Sequence, residues 1–346
     1  MKRDPKNVPS HLVKDSVDAV RPPTSNGAFA PLPERAPASR SRSKPSWLAE
    51  LWRYRHFYLF VSPFFILFAI FGLYPVLFSL FLSFVKWDGL TQMHWVGLGN
   101  FVRMFHDELL WRSLWNTLVI GLLYIPPMLI LAFLFAQILN IQWLKLKAFY
   151  RAAFFLPCVT PMVVIAIVFT VIFSSDQGVM NSALLWVGHF LPFLHLQPIG
   201  WLTTEQWSKT SVAILVAWRW TGYNMVLMLA GLQGISSDYF EAASIDGASA
   251  LQKMRFITWP LLQPAFRFCL LLSVIGTLYM FDEPFVLTNG GQPGTSSMTF
   301  GLYLFNTSFA NFKFGYASCV AYTVAIVMFI ATLMITRLNT RQKEAA

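Results

Sequence analysis

Residues 114–139 read LWNTLVIGLLYIPPMLILAFLFAQIL, with no charged side chain, and the charge-free stretch runs on to Leu144. A helix needs roughly 20 apolar residues to cross a hydrocarbon core of about 30 Å. The run does not alternate as a strand would, and lipid tolerates only helices or closed barrels. Pro126 and Pro127 sit in its middle. Membrane helices accept such residues as kinks, because neighbouring groups satisfy the freed carbonyls.

Five further runs of the same kind flank this one, at about Phe57–Phe84, Ala152–Phe173, Ser211–Leu232, Pro264–Leu287 and Gly315–Thr336. Pro63, Pro75, Pro157 and Pro161 interrupt two of them, and Arg219 interrupts the fourth of the six. The expected fold is an all-α polytopic membrane protein with six transmembrane helices. Composition agrees: 56% of residues are hydrophobic and 12% charged, half the roughly 25% of a soluble domain. The net charge of +10 does not mark a nucleic-acid binder, because the basic residues gather in the tail and in short loops. No nucleic-acid partner is expected. Membrane lipid is.

The distribution of those basic residues orients the chain. Eleven Lys/Arg precede the first run; three lie between the second and third, three between the fourth and fifth, and three after the sixth. Five occupy the opposite side. Positively charged loops stay in the cytoplasm, which predicts cytoplasmic N and C termini. Residues 1–50 hold eight Pro, scattered charge and few large apolar side chains. They are expected to form a disordered cytoplasmic tail, ahead of a six-helix transmembrane domain at 51–346. No apolar segment of signal-peptide type occurs in the first 30 residues.

Catalytic and metal-binding readings find little support. Cys158, Cys269 and Cys319 all fall inside apolar runs, and no two of the six His have the i, i+4 spacing of a metal-binding helix face. No nucleophile–base arrangement and no P-loop sequence occurs. Neither a cofactor nor catalysis by this chain is expected.

The loop before the fifth run, residues 236–264, reads SSDYFEAASIDGASALQKMRFITWPLLQP. Ser236 and Ser237 can cap a helix beginning near Asp238, the Ala-rich segment can continue it, and Gly247 permits a break. Residues 248–256 can make a second short helix before Pro260. By its chemistry alone this helix–turn–helix is either a docking element or an interfacial anchor.

Glu241-Ala242-Ala243, then Gly247 after three residues, then Ile257 and Pro260, resembles the EAA loop of permease subunits of bacterial ABC importers. Trp259 stands where that family usually has Leu. Ile245-Asp246-Gly247-Ala248 resembles the carbohydrate-uptake branch, of maltose and glycerol-phosphate type. So do Trp95 to Phe101 with Asn116-Thr117-Leu118, Phe154 to Pro157, and Phe281-Asp282 with Val286 to Gly291. The resemblance covers roughly residues 50–340. It implies the type I importer permease fold, with an ATPase-coupling surface at Glu241, Ala242, Ala243, Asp246, Gly247, Ile257 and Pro260. It also implies a cytoplasmic ATPase dimer, a second related permease subunit, an extracytoplasmic solute-binding protein and a sugar or polyol substrate. A permease for another solute, a secondary transporter and a membrane enzyme are the alternatives.

Polar residues in the fourth run are the candidate substrate path. Arg219 and Tyr223 share one helical face by their i, i+4 spacing, as do Trp220 and Asn224. Aromatic faces beside hydrogen-bonding groups suit a sugar. Trp218 and Asp282 complete the candidate set. Alternatively, Arg219 is structural and pairs with a carboxylate such as Asp282, since a charge inside a membrane normally faces a partner or a wet cavity.

Overall fold

A computed structural model describes residues 54–344, apart from 142 and 177. The expected disordered tail at 1–50 lies outside the described residues. The chain divides into residues 1–65 and 66–346, and the packing described below belongs to the second unit.

The regular structure of the described residues is helical except for a two-residue antiparallel ladder, Val85–Lys86 with His94–Trp95. Among the described residues, four helices are long and apolar enough to cross a membrane: α1 (Arg55–Leu82), α3 (Glu108–Asn140), α7 (Glu205–Gln233) and α9 (Ala250–Tyr279). The short α2 (Gly99–Phe105) precedes α3. The bent pair α4 (Lys147–Val159) and α5 (Met162–Ile172) makes a fifth candidate if counted as one span. Helix α6 (Val179–Phe190) follows that pair, and α8 (Ser237–Ile245) follows α7. The short α10 (Asp282–Leu287) and α11 (Phe300–Phe305) precede α12 (Phe314–Glu344), whose shorter apolar part is Phe314–Ile330.

Three expected elements change on folding. The third run is not one kinked helix but two helices meeting at 96°. Thr160 is extended between them, with φ −74° and ψ 136°, because the ring of Pro161 disfavours helical geometry in the residue before it. The fifth run does not continue to Leu287. Its helix ends at Tyr279, Met280 turns to ψ 113°, and α10 starts afresh at Asp282. Nor does a separate short helix stop before Pro260. Helix α9 runs from Ala250 through Pro260 and Pro264, with a π-helical turn at Met254–Thr258. That widened turn accommodates a residue lacking an N–H.

The centre of the bundle is α3 against α7, the most extensive helix pair. Tyr124, Met128, Ala132 and Ala136 recur every fourth residue on the buried face of α3, and Val212, Val216, Met225 and Met228 are buried on α7. Small residues let helices approach closely, and this matters most in lipid, where apolar surface gains little by leaving apolar solvent. Gly222 is the closest approach: a Cβ there would overlap the carbonyl oxygen of Phe154 on α4.

A second cluster gathers where α3 begins. Asp107 caps α3 by accepting from the Leu110 N–H at 3.1 Å. Its other carboxylate oxygen accepts from the hydroxyls of Tyr303 at 2.7 Å and Tyr316 at 2.8 Å. The Arg103 guanidinium lies 4.5 Å from the centroid of the Tyr316 ring. Asn116 donates to the carbonyls of Thr295 and Met298, and Thr117 accepts from the Phe300 N–H. These bonds fix the 288–300 loop on α3.

Candidate functional site

The 236–264 segment follows α7 directly. Ser236 caps α8 by accepting from the Asp238 N–H at 3.3 Å, so the helix starts where its serines predict. It ends in a Schellman arrangement. Gly247 adopts φ +76°, its N–H reaches the Ser244 carbonyl at 3.2 Å, and the Ala248 N–H reaches the Ala243 carbonyl at 2.9 Å. The spacing from the second alanine of the motif to its glycine is therefore the spacing of a helix stop. A Cβ on Gly247 would meet nothing in this chain within 4 Å. The glycine answers a backbone need here.

Ser249 and Gln252 then form a reciprocal capping box at the start of α9. Lys253 donates to the Ser244 hydroxyl across the turn at 2.6 Å, locking α8 to α9. Glu241, Ala242, Asp246, Gly247 and Pro260 are exposed, whereas Ala243 and Ile257 are half-buried. Beside them Tyr239, Ile245, Leu251 and Phe256 also face outward, Ile245 being 87% exposed. A rigid, capped helix pair thus presents one carboxylate-bearing face with large apolar side chains around it. Such a face suits a groove on a partner.

The second site lies halfway along α7. A cavity of about 490 Å³ is walled by residues of α3, α7, α9 and α10. Arg219, Trp220, Tyr223 and Asn224 all line it, and Asp282 lines it from the exposed surface of α10. One side of one helix contributes four of the expected residues because i, i+1, i+4 and i+5 stay within one arc. Trp218 falls outside that arc. It packs on Phe169 at 5.3 Å between centroids and lines a separate, mostly apolar cavity of about 660 Å³.

Arg219 is the middle residue of the 29-residue α7, roughly 21 Å from its start at 1.5 Å per residue. Its partner is Glu283, not Asp282: Nη1 donates to Oε1 at 3.0 Å, with side chains 13% and 9% exposed. The break at Met280 and the fresh helix start at Asp282 turn Glu283 inward. Arg219 also reaches the Met162 sulfur at 3.5 Å and lies 5.4 Å from the Trp220 ring. Trp220 and Tyr223 meet edge to face at 5.8 Å.

Two polar atoms of this wall have no partner: the Arg219 Nε and the Asn224 Oδ1. The Asn224 amide nitrogen is satisfied by the Trp220 carbonyl at 3.0 Å. On the facing wall, the Tyr124 hydroxyl bonds the Ser273 carbonyl at 3.1 Å and the Thr277 hydroxyl at 2.7 Å. Tyr124, Ser273, Tyr279 and Glu283 join the site only through folding. Glu283 carried one signal in the sequence, Pro284 beside it, which fits the first turn of a new helix.

Residues 144–344 match the family described as the binding-protein-dependent transport system inner membrane component. The chain is 38% identical over 279 residues to the lactose transport system permease protein LacF of Rhizobium radiobacter, covering 80% of this chain and 91% of that one. It is 31% identical over 284 residues to the arabinooligosaccharides transport system permease protein AraP of Bacillus subtilis, covering 82% and 88%. The fold resembles a chain of a bacterial ABC transporter that imports the acidic polysaccharide alginate, with a TM-score of 0.69, 23% identity, and 85% and 98% of the chains covered. By its helices, its capped surface loop and these matches, the chain belongs to the inner-membrane permease components of binding-protein-dependent ABC transport systems.

Proposed function

We propose that this chain forms part of the translocation path of an ABC importer for a saccharide or related polyol. In this reading it crosses the membrane six times, with α4–α5 as the third crossing and α12 as the sixth, and both termini are cytoplasmic. The exposed face of α8 docks on a separate ATPase subunit, with Glu241 paired to a basic residue there. A second permease subunit and an extracytoplasmic binding protein complete the assembly. The observation that carries the reading is the pairing of two sites on one helix. Helix α7 holds the polar, aromatic-lined cavity at its middle and runs directly into the capped α8 face. Movement of the α8 face is thereby transmitted to the cavity wall.

The test is uptake in cells expressing the chain with its neighbouring transport genes, using lactose and arabino-oligosaccharides as probes. Glu241→Lys should abolish uptake and release the ATPase subunit while membrane insertion persists. Trp220→Ala and Asn224→Ala should lower uptake at least tenfold with the complex intact. Wild-type uptake in all three variants would defeat the proposal.

A further inference from the structure

Taking the cavity of Arg219 and Asn224 as the solute path, its wall also specifies which solutes pass. Arg219 is the one cation among its lining residues, and Glu283 neutralises it at 3.0 Å. Asp282 lines the same cavity and adds a second carboxylate. The formal charge of the lining is therefore −1. The other hydroxyl and amide side chains of the lining, Tyr124, Tyr223, Asn224, Ser273 and Tyr279, are uncharged. Such groups both donate and accept, as a solute hydroxyl does, whereas a carboxylate only accepts and an ammonium only donates.

We propose that the Arg219–Glu283 pair with Asp282 makes this cavity selective for uncharged, polyhydroxylated solutes and closed to anionic ones such as uronates. An entering carboxylate would lose its hydration and find no free cation, with two carboxylates beside it. Selectivity of this kind comes from the repulsive element as much as from the attractive one. Glu283 and Asp282 are thus specificity-determining residues. Glu283 acts by occupying Arg219, and Asp282 by charging the exposed side of the cavity.

The test reads the charge of the cavity without needing the physiological solute. The full chain, co-expressed with its transport partners, carries Tyr223→Cys in a background with Cys158, Cys269 and Cys319 replaced by Ser. It is treated in membranes with neutral, cationic and anionic methanethiosulfonate reagents, and each rate is normalised to that of a free thiol. The cationic reagent should outpace the anionic one by about tenfold or more, as expected for one excess charge nearby at an effective dielectric constant near 20. Asp282→Asn should bring the ratio near one. Adding Glu283→Gln should invert it and let digalacturonate, which does not protect the parent chain, protect the thiol as lactose does. Asp282 is exposed, so Asp282→Asn keeps the test informative where Glu283→Gln folds poorly. If no reagent reacts, the cavity is not the solute path and both readings fall. If the neutral reagent reacts and the charge ratio stays near one throughout, only the selectivity inference is overturned.

Discussion

Arg219 and Glu283 are held in a bundle where neither can be left alone. A buried ion pair loses much of its attraction to desolvation, yet removing one partner strands the other at a cost of about 3–5 kcal/mol. Arg219→Leu and Glu283→Leu should therefore each lower the yield and thermal stability of the purified complex, and the double variant should recover most of that loss. Asp282→Leu should leave yield unchanged, because Asp282 is exposed and Arg219 is paired to its neighbour. A double-mutant cycle on thermal stability measures the coupling. Full additivity of the two single losses would contradict the pairing. Recovered stability is not expected to restore uptake, since the double variant also removes two polar groups from the cavity wall.

The helix pair α8–α9 is stiffened at each junction by a local bond: Ser236 at the start, Gly247 at the turn, Ser249 with Gln252 at the restart, and Lys253 across it. Gly247 offers a way to separate backbone need from partner contact. A non-glycine residue in left-handed geometry costs about 1–2 kcal/mol, and Asn bears this better than Ala. If the backbone alone demands glycine, Gly247→Asn should retain more uptake than Gly247→Ala. The chain itself leaves the position open, so steric exclusion can come only from a partner. Greater damage from Asn than from Ala in an uptake assay would reveal that exclusion. Further along the same path, Gly222 lets α4 touch α7 through the Phe154 carbonyl. The bend at Thr160 and this contact together seat the α4–α5 pair against the bundle.

Asp107 ties three distant parts of the chain together, through the start of α3, Tyr303 on α11 and Tyr316 on α12. Burial alone would raise its carboxyl pKa, but the hydroxyls of Tyr303 and Tyr316 and the Leu110 N–H outweigh that and hold it below the usual carboxylate value. The same desolvation, opposed by Tyr316 and reinforced by the Asp107 charge, pushes the Tyr303 hydroxyl up to about 12. A depressed folded-state pKa contributes stability that is present above the unfolded value, about 3.9 for Asp, and is lost as pH falls through the folded one. Arg103 lies over the Tyr316 ring, and Glu108 is next in sequence. Thermal unfolding of the purified protein should thus show a steeper loss below about pH 4 in the parent than in Asp107→Asn. Asp107→Asn should itself be less stable at pH 7. Equal pH slopes would remove Asp107 from the acid sensitivity of the fold.

What the chain encodes locally was legible in its residues. Each apolar run is long enough to demand a helix in lipid, whatever surrounds it. The alanines, Gly247 and the flanking serines specify a capped helix stop within about a dozen residues, and the motif spacing carried the family resemblance. The i, i+4 arithmetic placed Arg219, Trp220, Tyr223 and Asn224 on one arc, which is a property of the helix alone. The tertiary structure decided the rest. Glu283 rather than Asp282 meets Arg219 because the backbone breaks at Met280. A continuous span through Leu287, as the apolar pattern implied, places those carboxylates differently. Thr160 becomes a 96° corner instead of a kink, and Trp218 turns away to another cavity. Tyr124, Arg219, Ser273 and Glu283 come from four helices spread over some 160 residues. Their meeting depends on how those helices pack, and periodicity within one helix carries no information about its neighbour.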